Sequence, residues 1–400
     1  MSAITPAAPR RIPWAWILGL GIPALILLRI YFLVYVSEQR DLAFFLGAAV
    51  QSLQLGSLYA LIALGYTMVY GIIRLINFAH GEVFMVGAFT SYFLFSGAPF
   101  ALPWAVLWSA VIAWGVTFIL NLWRGSMRDP YVLGGGLLAF GALTAILSTW
   151  TVNWLGAMLL AMITTGVLGV VIDRVAYRPL RGAPRISLLI TAIAVSFLLQ
   201  NTGLIVFTRN QTPYRPETQW TEFLQFDVFA GTVYTSRLMF LIPIVTAILV
   251  IALTLFVTRT RLGKAMRASA QDAEVAQMMG VNVNRVIATT FLLGSMLAAA
   301  GGVLWGLNFG SLNQPAVLGI LPGIKAFAAA VIGGIGSLPG AVIGGVLLGF
   351  LENFFTALFP RTANFAGLTE YKDTFAFALL IIVLLIRPSG IVGEDLSEKV

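Results

Sequence analysis

Cysteine is absent from this 400-residue chain and histidine occurs once, at position 80. Structural disulfides, a thiol nucleophile and the common cysteine- or histidine-rich zinc sites are therefore excluded, and no catalytic or metal site is expected. Charge is also scarce. Asp, Glu, Lys and Arg make up 10% of the residues, against about a quarter in a soluble globular domain. No Gly-x-x-x-x-Gly-Lys-Ser/Thr phosphate loop is present, so a process driven by ATP would need the nucleotide bound on another chain.

What is there is apolar: 59% hydrophobic residues and a mean hydropathy of +0.92. The apolar runs are continuous and about 20 residues long, whereas a membrane barrel shows alternating segments of about ten. The fold class expected is all-α, a polytopic integral membrane protein with about 10–12 hydrophobic segments. The runs cover roughly 14–36, 42–73, 75–95, 101–123, 131–150, 153–172, 186–208, 237–258, 286–309, 316–334, 339–358 and 374–387. The first is too long for the apolar core of a cleaved signal peptide and reads as a signal-anchor helix. Arg29 lies within it, and snorkelling or pairing with another span outweighs a functional role.

The net charge of +8 is spread between these runs, which speaks for membrane topology and against nucleic acid. Residues 173–185 carry Arg174, Arg178, Arg181 and Arg185 against Asp173 alone. Residues 259–285 carry Arg259, Arg261, Lys264, Arg267 and Arg285 against Asp272 and Glu274. The connection between them, 209–237, is charge-balanced. The two basic connections and both termini are expected in the cytoplasm, with 209–237 outside.

Residues 60–89 stand out, because Arg74, Asn77, His80 and Glu82 sit in an otherwise apolar stretch punctuated by Gly65, Gly71, Gly81 and Gly87. Polar groups at such depth face a bundle interior, a cavity or a pathway. Arg74 belongs at the cytoplasmic edge, which leaves Asn77, His80 and Glu82 as candidates for a translocation path or for bracing the bundle. Lys325, following Pro322-Gly323, joins them; it is suited to a carboxylate, although anchoring at the interface is the commoner role. Gly302, Gly306 and Gly310 recur every fourth residue, as do Gly336, Gly340 and Gly344, a spacing that lets helices approach closely in lipid. Gly and Pro interrupt the run at 333–340, and such interruptions in both halves of a transporter mark its substrate path.

In the stretch 261–285, Lys264, Arg267, Gln271 and Glu274 share one helical face, and Met266, Ala270, Ala273 and Ala276 another. One short amphipathic helix ending at Gly280 is expected there, either a solvated loop or a docking element.

That stretch resembles the Glu-Ala-Ala loop of ABC-transporter permeases through Asp272, Glu274, Ala276 and Gly280, although Val275 stands where the motif has Ala. Together with 51–89, DRVAYRP at 173–179, 323–349 and EYKDTFAFALLIIVLLIRPSGIVG at 370–393, the chain resembles LivH-type permeases of branched-chain amino acid importers. The resemblance implies an ABC-importer permease in a bacterial inner membrane, with no cofactor of its own. Its partners would be two ATP-binding cassette subunits holding ATP, a second permease (LivM-like, or a copy of itself), an extracytoplasmic solute-binding protein and membrane lipid. Lys264, Arg267, Asp272, Glu274, Ala276 and Gly280 would couple it to the ATPase. The implied division is an N-terminal extension at 1–41, a permease domain at 42–388 and a cytoplasmic tail at 389–400. A helix-pair insertion is expected at 97–150. A urea or short-amide permease and an ion-coupled secondary transporter are the alternatives.

Overall fold

The computed structural model describes residues 22–36, 41–95, 109, 117, 153–215, 220, 222–228, 231–359 and 371–393. The expected helix pair of 97–150 thus lies outside the described residues apart from Ser109 and Thr117, as do the start of the N-terminal run and the end of the tail.

Long apolar runs become helices, and short polar residues start them. Helix α1 (Ile22–Tyr31) continues as a π-helical turn, Phe32–Val36. Asp41 caps α2 (Leu42–Ile73), its carboxylate accepting from the Phe44 N–H at 2.9 Å. After a break comes α3 (His80–Phe95). Asn153 caps α4 (Trp154–Ile172) in the same way, and a π-helical turn, Asp173–Tyr177, extends that helix. Helix α5 (Arg185–Val206) leads into short strands: β1 (Thr212–Pro213), then the hairpin of β2 (Phe223–Val228) and β3 (Gly231–Ser236). Helix α6 (Leu238–Arg259) is followed by two short helices, α7 (Arg261–Gln271) and α8 (Ala273–Met278). Asn282 caps α9 (Val283–Phe309), and β4 (Ser311–Leu312) then pairs antiparallel with β1. The chain closes with α10 (Pro315–Gly333), α11 (Leu338–Gly349), its π-helical extension Phe350–Phe355, and α12 (Lys372–Ile386).

Seven helices among the described residues are long and apolar enough to cross a membrane. They differ in burial. Helices α2 and α9 are mostly buried within the bundle, while α5 and α6 expose most of their apolar surface, including Ile244, Ile248, Ile251 and Leu255 along one stripe of α6. Helix α2 runs against α11, α9 and α10, and α9 also packs on α3 and α4.

Glycines sit where helices cross. A Cβ at Gly344 would overlap the Ala329 carbonyl of α10, one at Gly349 would overlap Gly56, and one at Gly302 would meet the Phe84 carbonyl at 2.6 Å. Gly340 faces the Gly333 carbonyl at 2.5 Å in the same sense. The fourfold spacing does not hold along its whole length. Gly306 accommodates the Tyr214 ring instead of a helix, whereas Gly310 and Gly336 have φ of +62° and +100° and belong to chain turns. At those two positions the backbone conformation, not interhelical contact, requires glycine.

Candidate translocation site and coupling surface

The break between α2 and α3 is the first polar feature. Arg74 ends α2 with φ +52°, the left-handed conformation, and its N–H bonds the Tyr70 carbonyl at 2.8 Å. Residues 74–79 then lead back beside α2, so that His80 starts α3 against Gly65, about 12 Å along α2 from its end. Helix α3 therefore begins inside the bundle. Its first-turn N–H groups carry the positive end of the helix dipole to that depth.

Each candidate in this stretch has a partner from another element. Asn77 is buried, and its Oδ1 accepts from the Tyr177 hydroxyl at 2.7 Å, which ties the break to the π-helical end of α4. The His80 ring is buried edge-on to Tyr66, with centroids 4.7 Å apart. Glu82 is buried as well. Its Oε1 accepts from Gln200 Nε2 at 2.8 Å and Ser196 Oγ at 3.2 Å on α5, while Oε2 rests on Gly319 of α10. Asn77 and Glu82 thus join elements far apart in the chain, and His80 and Glu82 do not converge on a common ligand.

Lys325 is buried and paired with carboxylates of two other elements. It stands ten residues into α10, about 15 Å from that helix's start, and is 8% exposed. Its Nζ is 2.7 Å from Glu352 Oε1 and 2.6 Å from Asp373 Oδ1, and Tyr59 donates to Glu352 Oε2 at 2.9 Å. These groups line a cavity of about 710 Å³ that reaches from the loops at 234–236 and 311–313 into the bundle. Sequence reasoning missed Tyr59 and Asp373 as its partners. Glu352 is a carboxylate in an apolar run, but no spacing in the sequence links it to Lys325.

At the opposite end lies the 261–285 region. In place of one helix there are two, because Asp272 bonds the N–H groups of Glu274 (2.9 Å) and Val275 (3.0 Å) and starts a new helix. The break changes the helical phase. Met266, Ser269 and Ala276 are buried, but Ala273 is exposed, so the expected apolar face of Met266, Ala270, Ala273 and Ala276 is not continuous. Lys264, Arg267, Asp272 and Glu274 are exposed. Gly280, φ +84°, ends α8, and Val275, Met278 and Met279 project outward beside Glu274. Arg74 shares a cavity of about 520 Å³ with residues 269–274, which places the α2–α3 break next to this hairpin.

The chain matches the family described as branched-chain amino acid transport system / permease component over residues 48–134 and 126–384. It is 39% identical to the high-affinity branched-chain amino acid transport system permease protein BraD of Pseudomonas aeruginosa, over 89% of this chain and 98% of that protein. It is equally identical to the permease protein LivH of Escherichia coli K12, over 91% of this chain and all of that protein. The chain belongs to the branched-chain amino acid transport permease family. More distantly, it is 25% identical to the ribose import permease protein RbsC of Haemophilus influenzae, over 70% of this chain and 80% of that protein. Residues 1–47, which include α1, precede the matched part of this permease, and its two matched pieces meet at 126–134, within the stretch expected as an insertion.

Proposed function

We propose that this permease is a membrane subunit of an ATP-driven importer, moving branched-chain or related amino acids inward while separate subunits hydrolyse the ATP. The observation that carries this reading is the α7–α8 hairpin. An exposed acidic residue, Glu274, and three exposed apolar side chains, Val275, Met278 and Met279, stand together at one end of the bundle. Exposed apolar clusters rimmed by charge suit protein contact. The hairpin is also joined to the helices that would move. Thr260 caps α7 directly after α6, Arg267 bonds the Val257 carbonyl on α6, and Arg74 beside it ends α2.

In this reading two ATPase subunits seat on the hairpins of a permease pair, and an external binding protein delivers the amino acid to the end carrying the β2–β3 hairpin. The partner permease is a second, LivM-like chain or a copy of this one. ATP closing its subunits draws the hairpins together, and the differential affinity of ATP and amino acid for the two states supplies the free energy. The orientation follows from the basic connections, with the α7–α8 hairpin, 173–185 and both termini cytoplasmic.

Reconstitution of the complex in proteoliposomes tests the proposal. L-Leucine uptake should require ATP and persist with an uncoupler present. Uptake that the uncoupler abolishes would favour an ion-coupled carrier, and uptake of urea or a short amide in place of leucine would change the substrate class.

A further inference from the structure

The Lys325 cluster is more than an ion pair packed between helices. One ammonium and two carboxylates come from three helical elements, α10, the π-helical extension of α11, and α12. They meet on the wall of a cavity open to one end of the bundle. A purely structural pair in an apolar bundle gains most when it is shut away from water with all its lone pairs satisfied. Here Asp373 is about half exposed, and with Lys372 on the same wall the cavity carries two ammonium groups and two carboxylates. Glu352 projects from a π-helical turn, a geometry that recurs at functional sites.

The rest of the wall divides by chemistry. Tyr59, Gln54 and Asn353 are polar, while Trp305, Leu318 and Leu321 are apolar. We propose that this cavity binds the backbone end of an amino acid zwitterion, resting on the importer reading above. The substrate carboxylate takes Lys325 Nζ, the substrate ammonium takes the carboxylate that Lys325 releases, and the branched side chain lies toward Trp305, Leu318 and Leu321. A zwitterion exchanges ion pairs with the cluster without adding net charge to the bundle. A carboxylic acid or an amine alone would leave one charged group unpartnered, and such a loss is costly away from water.

The chain's lack of cysteine gives a direct test. In the assembled complex, Asn353→Cys is labelled with a membrane-impermeant maleimide, read on the band of this subunit. L-Leucine at a saturating concentration should slow labelling roughly tenfold or more, whereas isopentylamine and 4-methylpentanoate at equal concentration should not, since each lacks one charge-assisted contact worth about tenfold or more in affinity. Equal labelling with and without leucine, or equal protection by all three compounds, overturns the proposal.

A neutral triple variant, Lys325→Met with Glu352→Gln and Asp373→Asn, separates binding from bracing. It leaves no orphaned charge, so assembly should survive while leucine uptake and protection at position 353 are lost. Uptake at the native rate in that variant overturns the site but leaves the importer reading standing. If the native complex shows no ATP-driven uptake yet leucine still protects position 353, the importer reading falls and the site stands. Should the triple variant not assemble, protection in the Asn353→Cys single variant decides.

Discussion

A carboxyl group moved from water into an apolar bundle costs several kcal/mol unless new partners replace its hydration. Glu82 gains two such partners on α5, and it reaches them only because position 319 on α10 has no side chain. A Cβ at Gly319 would overlap Oε2 of that carboxyl group, which cannot swing away without giving up Gln200 and Ser196. Gly319→Ala should therefore destabilise the purified complex by about 1–3 kcal/mol, the range for overpacking a tight core. Glu82→Ala in the same chain should recover part of the loss, with a coupling energy of about 0.5–3 kcal/mol in a double-mutant cycle of thermal unfolding midpoints. Strict additivity would mean that the two residues do not press on one another. Asn77 offers a separate measurement. Tyr177→Phe removes the donor to a buried amide oxygen, so it should cost about 1–3 kcal/mol and loosen the α2–α3 break; an unchanged midpoint would count against that brace.

At the scale of elements, the α7–α8 hairpin is held in shape by two local devices. Gly280→Ala places a Cβ on a residue with φ +84°, where nothing crowds it but the backbone conformation costs about 1 kcal/mol. Asp272→Ala removes the cap that starts α8, again worth about 1 kcal/mol. Both are too small to unfold the bundle and large enough to misplace the hairpin. The complex should assemble and hydrolyse ATP, with leucine uptake per ATP falling severalfold. Unchanged coupling in both variants would show that the ATPase seats elsewhere. These elements also mark where sequence is informative. Helix positions were legible because lipid imposes long apolar runs, and each described run became a helix within a few residues of its expected bounds. The split at Asp272 was not, because spacing alone assigns faces to a continuous helix and cannot see a side chain turning back onto its own backbone. The interruption after Arg74 was visible in its polar residues and glycines. The depth at which α3 restarts was not, since it depends on His80 finding space over Gly65 of another helix. Asp373 likewise could not be joined to Lys325 by any spacing, because tertiary packing alone brings α12 to α10.

For the whole molecule, the contacts sort the chain into two ends without saying which faces the cytoplasm. One end gathers Gln51, Tyr234–Ser236, Asn308, Asn313 and Lys372 around one cavity. The other gathers Arg74, Arg267, 335–339, Pro388, Ser389, Val392 and Gly393 around a cavity of about 910 Å³. Helices α2 and α10 each run from the first group to the second, with Gln51 and Val317 at one end and Arg74 and Val331 at the other. Basic residues favour the cytoplasmic side, so the proposed function puts the end holding Arg74 and Arg267 there. In a chain free of cysteine, single replacements at Glu222 and Ala270 test this directly. Glu222 lies at the start of the β2–β3 hairpin, exposed and paired to Arg237 at 3.1 Å, and should react with an impermeant maleimide added to intact cells or right-side-out vesicles. Ala270, on the α7–α8 hairpin, should react only in inverted vesicles or after permeabilisation. The reverse pattern would turn the permease over and move the proposed zwitterion cavity to the cytoplasmic face, where it would release substrate. Labelling of both from one side would break the expected alternation of spans and with it the proposed placement of an ATPase and a binding protein on opposite surfaces.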